Sequence, residues 1–260
     1  MWKLLPMILL LGACATSGQL PRSLDNRAVI QDNPMVTELN ELLPLNGPVM
    51  TIGIYGFTDK TGQRKPAENI ANLSSAVTQG AEVWVIDALL QAGNGTWFEV
   101  VERGGMDNLI KERQLIRNTR QNYEGDDATQ LDPMKFAGIL IEGGIVGYDS
   151  NIITGGNGAR YFGIGSASEY RVDTVTVAMR LVSVSTGRIL VSVAAEKSIA
   201  SYRQGADVFK FVDLSTKALE IETGYSVNEP TNYATREAIE KAVIELIYAG
   251  AHLDLWEFLE

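Results

Sequence analysis

Thiol and imidazole are nearly missing: 260 residues contain one cysteine, Cys14, and one histidine, His252. No intrachain disulfide can form, and a zinc or iron centre would lack soft donors. Positive charge is in deficit as well, with 22 Lys+Arg against 32 Asp+Glu and a formal net charge of −10. A nucleic-acid binder needs a basic stripe to displace phosphate counterions, so that class is set aside. Signatures of catalysis are also scarce. Gly156-Asn157-Gly158 would need a third glycine at position 161, where Tyr161 stands, and no G-x-x-x-x-G-K-[ST] phosphate loop occurs. Asp126-Asp127 lies in a polar stretch with nothing to desolvate it, and His252 reads as a satisfied structural histidine in an apolar helical C-terminus. The expectation is a protein that is not an enzyme, with no metal and no cofactor other than a covalent lipid. The 45% hydrophobic content nevertheless provides for an ordered core.

What the sequence does contain begins at its N-terminus. Lys3 precedes an apolar run over 4–11 interrupted by Pro6, too short to span a bilayer but suited to a secretory signal. It ends in Leu11-Gly12-Ala13-Cys14, which resembles the bacterial lipobox, in which the cysteine is diacylated on sulfur and becomes the new N-terminus. A buried free Cys after an ordinary signal peptide is the other reading. Residues 1–13 are read as a lipoprotein signal peptide and Cys14 as the lipid site, where several acyl chains together give stable anchoring. Ala15 rather than Asp after it favours outer-membrane export. The polar, Pro-punctuated stretch 14–46 is read as a lipidated tether, and 47–260 as the folded body.

In the body, alternate large apolar groups over 50–57 predict a strand, and 58–62 a turn. Spacings of three and four predict helices over 76–92 and 106–119, the first stopped by Gly93-Asn94-Gly95. A strand is expected at 97–102, a surface loop at 118–130, strands at 138–148, 172–184 and 189–201, and a C-terminal helix over 230–258. Two long segments fit no soluble sheet. The first, about 148–172, is Gly- and Ser-rich and has four charged residues, Asp149, Arg160, Glu169 and Arg171. The second, about 202–225, has Phe209 and Phe211 at its centre and tyrosines at both ends. Each has room for two strands of roughly 10 residues and a turn, enough to cross a bilayer as a tilted hairpin. The other reading is a pair of long surface loops. Four strands left open in lipid would strand backbone N–H and C=O groups, so a membrane reading requires copies of the chain to close the barrel.

The strings Gly158-Ala159-Arg160-Tyr161-Phe162-Gly163-Ile164-Gly165, Leu181-Val182-Ser183-Val184-Ser185-Thr186-Gly187-Arg188-Ile189-Leu190, Gly224-Tyr225-Ser226-Val227-Asn228-Glu229-Pro230 and Leu255-Trp256 occur in this order. Together they resemble the CsgG family of curli secretion channel lipoproteins, over about 44–256. The resemblance implies an α/β periplasmic domain with two transmembrane β-hairpins per protomer, forming an oligomeric β-barrel. It implies a ring of about nine protomers and a barrel of about 36 strands, the largest number known for such barrels and a property of the family rather than of these residues. The implied function is an outer-membrane secretion channel for unfolded curli-type amyloid subunits, passive and without nucleotide hydrolysis. A periplasmic adaptor and an extracellular coupling factor are the implied partners. The alternative is an outer-membrane-anchored periplasmic binding or regulatory lipoprotein without a pore.

By the same resemblance the loop 62–75 is a pore constriction. Asn72 and Leu73 match the family's Asn-aromatic pair, and Ala67 or Glu68 its upstream Tyr, so both aromatic rings are lost here. Read without the resemblance, Asn72-Leu73 is a helix N-cap region. Glu220 and Glu222 match lumen-facing acidic positions, Arg203 stands where relatives carry an acid, and Tyr161, Phe162, Phe209 and Phe211 are expected as membrane-interface aromatics.

Overall fold

The computed structural model describes residues 34–64, 75–155, 168–204, 209–213 and 229–259. Six strands form one sheet: β1 (Met50–Asp59), β2 (Phe98–Glu102), β3 (Ile139–Gly155), β4 (Ser168–Ser183), β5 (Ile189–Gln204) and β6 (Phe209–Asp213). Their spatial order is β2-β1-β3-β4-β5-β6, with β1 parallel to both β2 and β3 and every later pair antiparallel. The helices are α1 (Val36–Asn40), α2 (Glu82–Gln91), α3 (Met106–Glu124) and α4 (Glu229–His252). None is long and apolar enough to cross a membrane, a statement confined to helices of the described residues.

The alternation of β4 decides which side of the sheet is covered. Asp173, Val175, Val177, Met179 and Leu181 are buried, while the residues between them are half-buried or exposed. The buried side lies under α4, whose Ala234, Ala238, Ile239, Ala242, Val243, Leu246 and Ile247 recur at helical spacing and are all buried. α2 packs beside it through Val85, Ala88 and Leu89. Each large side chain buried in this layer contributes roughly 1.5–3 kcal/mol. Gly93, at φ +56, ends the α2 turn, and a Cβ there would lie 2.7 Å from the Trp97 ring. That φ is left-handed, where glycine carries no steric cost.

Several boundaries differ from the sequence reading. α2 starts at Glu82 rather than 76, because Gly80 interrupts the turn, although Ala76, Val77 and Ala81 are buried all the same. α3 runs to Glu124, into the stretch read as loop, and it has no buried residue. β3 continues to Gly155 and β5 to Gln204. Residues 34–46, read as the end of the tether, belong to the body: Leu39, Leu42 and Leu45 are buried. Backbone bonds from the C-terminal tail hold this segment, Asn46 N–H to Glu257 O at 2.9 Å and Leu259 N–H to Pro44 O at 2.8 Å. His252 is exposed at the end of α4, with no hydrogen-bond partner among the described residues, so the satisfied structural role does not hold.

Candidate functional site

Two places at one end of the sheet bear on function. The first is the stem of the loop that follows β1. Asp59 Oδ1 accepts hydrogen bonds from the Thr61 N–H at 2.8 Å and the Thr61 hydroxyl at 2.6 Å, which bends the chain as it leaves the strand. Gln79 Nε2 donates to Asp59 Oδ2 at 3.2 Å, fastening the returning segment to the same carboxylate. An antiparallel bridge between Arg64 and Ser75, with Ala76 N–H donating to Gln63 O at 3.0 Å, closes the stem. Lys60 N–H donates to Ile145 O at 2.9 Å, so the stem sits beside the point where β3 passes the end of β1.

That point is also where glycine is required. A Cβ on Gly143 would meet the Ala178 carbonyl and the Phe57 ring, the latter at 2.6 Å. Gly144 is pressed against the Thr58 carbonyl. Register shifts occur here in both neighbours, between Ile54 and Phe57 on β1 and between Ile145 and Gly147 on β3. Bulges of this kind turn a strand and increase its twist, and here β3 leaves β1.

The second place lies just above, where β3, β4 and β5 continue past the helices. Tyr148 Oη donates to Asp173 Oδ1 at 3.1 Å, and both residues are buried. Arg171 Nε donates to Asp173 Oδ1 at 3.1 Å and to Ser150 Oγ at 3.0 Å, and its Nη2 donates to Tyr148 Oη at 3.3 Å. On the opposite side of the sheet Thr174 and Ser198 share a hydroxyl hydrogen bond of 2.9 Å. The buried carboxylate is thus supplied with two donors, as desolvation of a charge demands.

Charge is also buried beneath the helices. Glu240 is fully buried and accepts from Arg236 Nε at 3.0 Å and from the Met35 N–H at 2.9 Å. Burial raises its pKa above the ordinary carboxylate range, with the neighbouring Glu237 adding to the rise and the two donors opposing it. Lys197 on β5 reaches Glu237 at 2.8 Å. No three His, Cys, Asp or Glu side chains among the described residues converge as a metal site.

A groove of about 590 Å³ runs between α3 and the segment returning to β3. Arg113 donates to the Asp132 carbonyl at 2.5 Å and Arg120 to the Thr129 carbonyl at 2.7 Å, tying the segment back to the helix. Asp126 and Asp127 lie exposed in the 3-10 turn between them.

Of the residues singled out from sequence, Arg203, Phe209 and Phe211 lie on described strands, Arg203 on β5 in register with Phe209 on β6, and Phe211 in register with Ser201. Cys14, Ala67, Glu68, Asn72, Leu73, Tyr161, Phe162, Glu220 and Glu222 lie outside the described residues. The stem brackets positions 67, 68, 72 and 73 in the chain. Sequence reading missed the Tyr148–Asp173–Arg171 group. Its only signal was the alternation Glu169, Arg171, Asp173 on a strand.

A family profile described as "Curli production assembly/transport component CsgG" matches residues 39–260. The chain is 38% identical to the protein of that description from Citrobacter koseri, over 96% of this chain and 90% of the relative. It is also 38% identical to that of Escherichia coli K12, over 98% and 90%. Among solved structures, the PelC dodecamer from Paraburkholderia phytofirmans covers 78% of this chain and 93% of its own at 14% identity, with a TM-score of 0.30.

Proposed function

The chain belongs to the CsgG family of curli production assembly/transport components, and from that premise we propose that it is the pore of a curli-type secretion system. It passes unfolded amyloid subunits across the outer membrane without nucleotide hydrolysis. Cys14 anchors it by lipid, the body stands in the periplasm, and the segments 148–172 and 202–225 insert as hairpins. A periplasmic adaptor and an extracellular coupling factor complete the system.

One observation carries this reading. β3 pairs with β1 only through Ile145, and over 147–155 its sole partner among the described strands is β4. At the far side β6 pairs, among the described strands, with β5 alone. The sheet β3-β4-β5-β6 therefore extends beyond the helices with two unpaired edges of opposite strand direction. An open edge invites pairing, and β6 of one copy meets β3 of the next in antiparallel sense. Repetition with four strands per copy closes an even-numbered, wholly antiparallel barrel, which we take as nonameric.

Alternation along the strands then assigns the two sides. Charged positions belong in the lumen and apolar or aromatic ones against lipid. In β6 the order Phe209-Lys210-Phe211 puts the phenylalanines outward as interface aromatics with Tyr161 and Phe162, and Lys210 inward. Arg203, Glu220 and Glu222 face the lumen. Paired residues share a side of a sheet, so the Arg203–Phe209 pairing of the single chain must slip by one residue as the barrel closes.

The loop 62–75 forms the constriction, with Asn72 and Leu73 narrowing it and Ala67 or Glu68 standing where an aromatic would add a second ring. The pinched stem at Arg64 and Ser75 is consistent with a loop held at the barrel's foot. Negative-stain imaging of the detergent-extracted, lipidated protein tests the assembly. Rings with a central opening are expected; small separate particles that persist across detergents would mean a lipoprotein without a pore. Planar-bilayer conductance tests the constriction: Asn72→Trp and Leu73→Trp should each lower it at least about twofold by narrowing the aperture. Unchanged conductance in both would remove those residues from the narrowest point while leaving the channel standing.

A further inference from the structure

Tyr148 and Asp173 are buried, whereas Arg171 beside them faces solvent. The Arg171 side chain retains 24% of its accessible surface against 5% for Asp173, so the acid is sunk in the wall and the cation meets water. The guanidinium is held by groups from two strands, Ser150 and Tyr148 on β3 and Asp173 on β4. Nη1 has no hydrogen-bond partner among the described residues. A surface arginine on a free stem spreads its charge over many rotamers, whereas this one keeps it in a fixed place.

The side of the sheet follows from register. Positions 169, 171 and 173 fall on one side of β4, and their partners on β5 are Arg203, Ser201 and Ile199. Positions 170 and 172 fall on the other, opposite Tyr202 and Ala200. Ser150, Arg171 and Asp173 therefore share one side of the extension, and Val172, Thr174 and Ala200 the other. Asp149 lies on the second side, in register with Thr174 and next to the Tyr148–Asp173 level where the sheet leaves the helices. Lipid rejects the guanidinium of Arg171 and accepts Val172 and Ala200. The side that carries Arg171 is the wet one.

Resting on the channel reading above, we propose that Arg171 is a charge-selecting residue of the pore. Repeated once per copy where the sheet leaves the helices, it makes a ring of fixed guanidinium groups at the periplasmic mouth of the barrel. That ring favours small anions and acidic polypeptide segments over cationic ones, because a fixed ring of one sign raises the local concentration of the other. Asp173, 3.1 Å from the guanidinium, offsets part of this field, and Arg171, the more exposed of the two, is the charge nearer the water.

The test is the reversal potential of the full-length protein in planar bilayers under a KCl gradient. In Arg171→Gln the chloride-to-potassium permeability ratio should fall about threefold or more. Arg171→Lys, which retains the charge and loses the fork, should keep most of the wild-type ratio. The wild-type preference should also shrink as salt is raised, since the Debye length contracts. A conducting Arg171→Gln channel with an unchanged ratio overturns the proposal. Should the single variant fail to assemble because Asp173 is left without its cation, Arg171→Gln combined with Asp173→Asn removes both charges. A smaller fall in the same direction is then expected, because the pair's net charge is unchanged and only the exposed member's position is lost, and an unchanged ratio again overturns it. A wild-type protein with no conductance at all strikes the channel reading itself, a result distinct from an open pore with unaltered selectivity.

Discussion

β4 and β5 are each two structures in one strand. Below Asp173 and Ile199 their inward side chains are Val175, Val177, Met179 and Leu181 on β4 and Val191, Ala195 and Lys197 on β5, all buried under α4. Above that level the same side of the sheet passes to Arg171 and then to positions 169 and 203. Hydrogen bonding is continuous across the change, with β4 paired to β5 from Ser168 through Leu181 without a shift. Backbone pairing thus carries a strand out of its core, while the side chains alone decide what solvent each half wants. The lower half is stabilised by burial within one chain; the upper half keeps a β3 edge that no described strand other than β4 pairs.

Each half can be disturbed separately. The largest effect is expected from Gly143→Ala, which drives a methyl group into the Ala178 carbonyl and the Phe57 ring. It should cost about 3 kcal/mol or more and abolish a cooperative thermal transition of the body. A variant melting like wild type would show that the bulge can move aside. Next comes Val172→Asp in the upper half. On the channel reading this sets a carboxylate on the lipid side near the barrel's foot, at a cost of up to about 1 kcal/mol per copy, multiplied around the ring. Detergent-stable assemblies should therefore fall sharply while circular-dichroism melts of the unassembled chain stay unchanged. Loss of both together would tie the halves more closely than proposed.

A smaller effect concerns the charge under α4. Because burial holds Glu240 above the ordinary carboxylate pKa, the folded state binds its proton more tightly than the unfolded chain does. The associated stability is present below the unfolded value and is lost as pH rises through the raised folded value. The Tm of wild type relative to Glu240→Gln should therefore improve as pH is lowered from 7 toward 4.5. The opposite slope would mean that the Arg236 and Met35 bonds outweigh burial. The smallest change is Arg180→Ala. Its ion pair with Glu142 at 2.6 Å is half-exposed on the uncovered side of the sheet, and losing it should shift stability by no more than about 0.5–1 kcal/mol in chemical denaturation.

Legibility in the sequence followed the same division. The lower strands and α4 were readable because burial on one side imposes a period, as at Val175, Val177, Met179 and Leu181. The upper part of β3, Asp149-Ser150-Asn151, has no such period, and its extended form comes from pairing with residues more than twenty positions away on β4. α1 was missed for a related reason. Five residues are too few for a helical pattern, and only the leucines at 39, 42 and 45 hinted that the segment packs. Arg236 and Glu240 look like an ordinary exposed i,i+4 pair in sequence. What buries them includes a backbone N–H 205 residues earlier, a contact that no local reading contains. Family resemblance named Arg203 but could not single out Arg171, whose role depends on the burial of Asp173 beside it.

The stem after β1 closes on itself through Asp59, Gln79 and the Arg64–Ser75 bridge. Each of those contacts is made by residues that flank the stretch between 64 and 75. On the channel reading, a socket of this kind lets a lineage, or an engineer, exchange the aperture like a fitted cartridge while the stem that holds it stays the same.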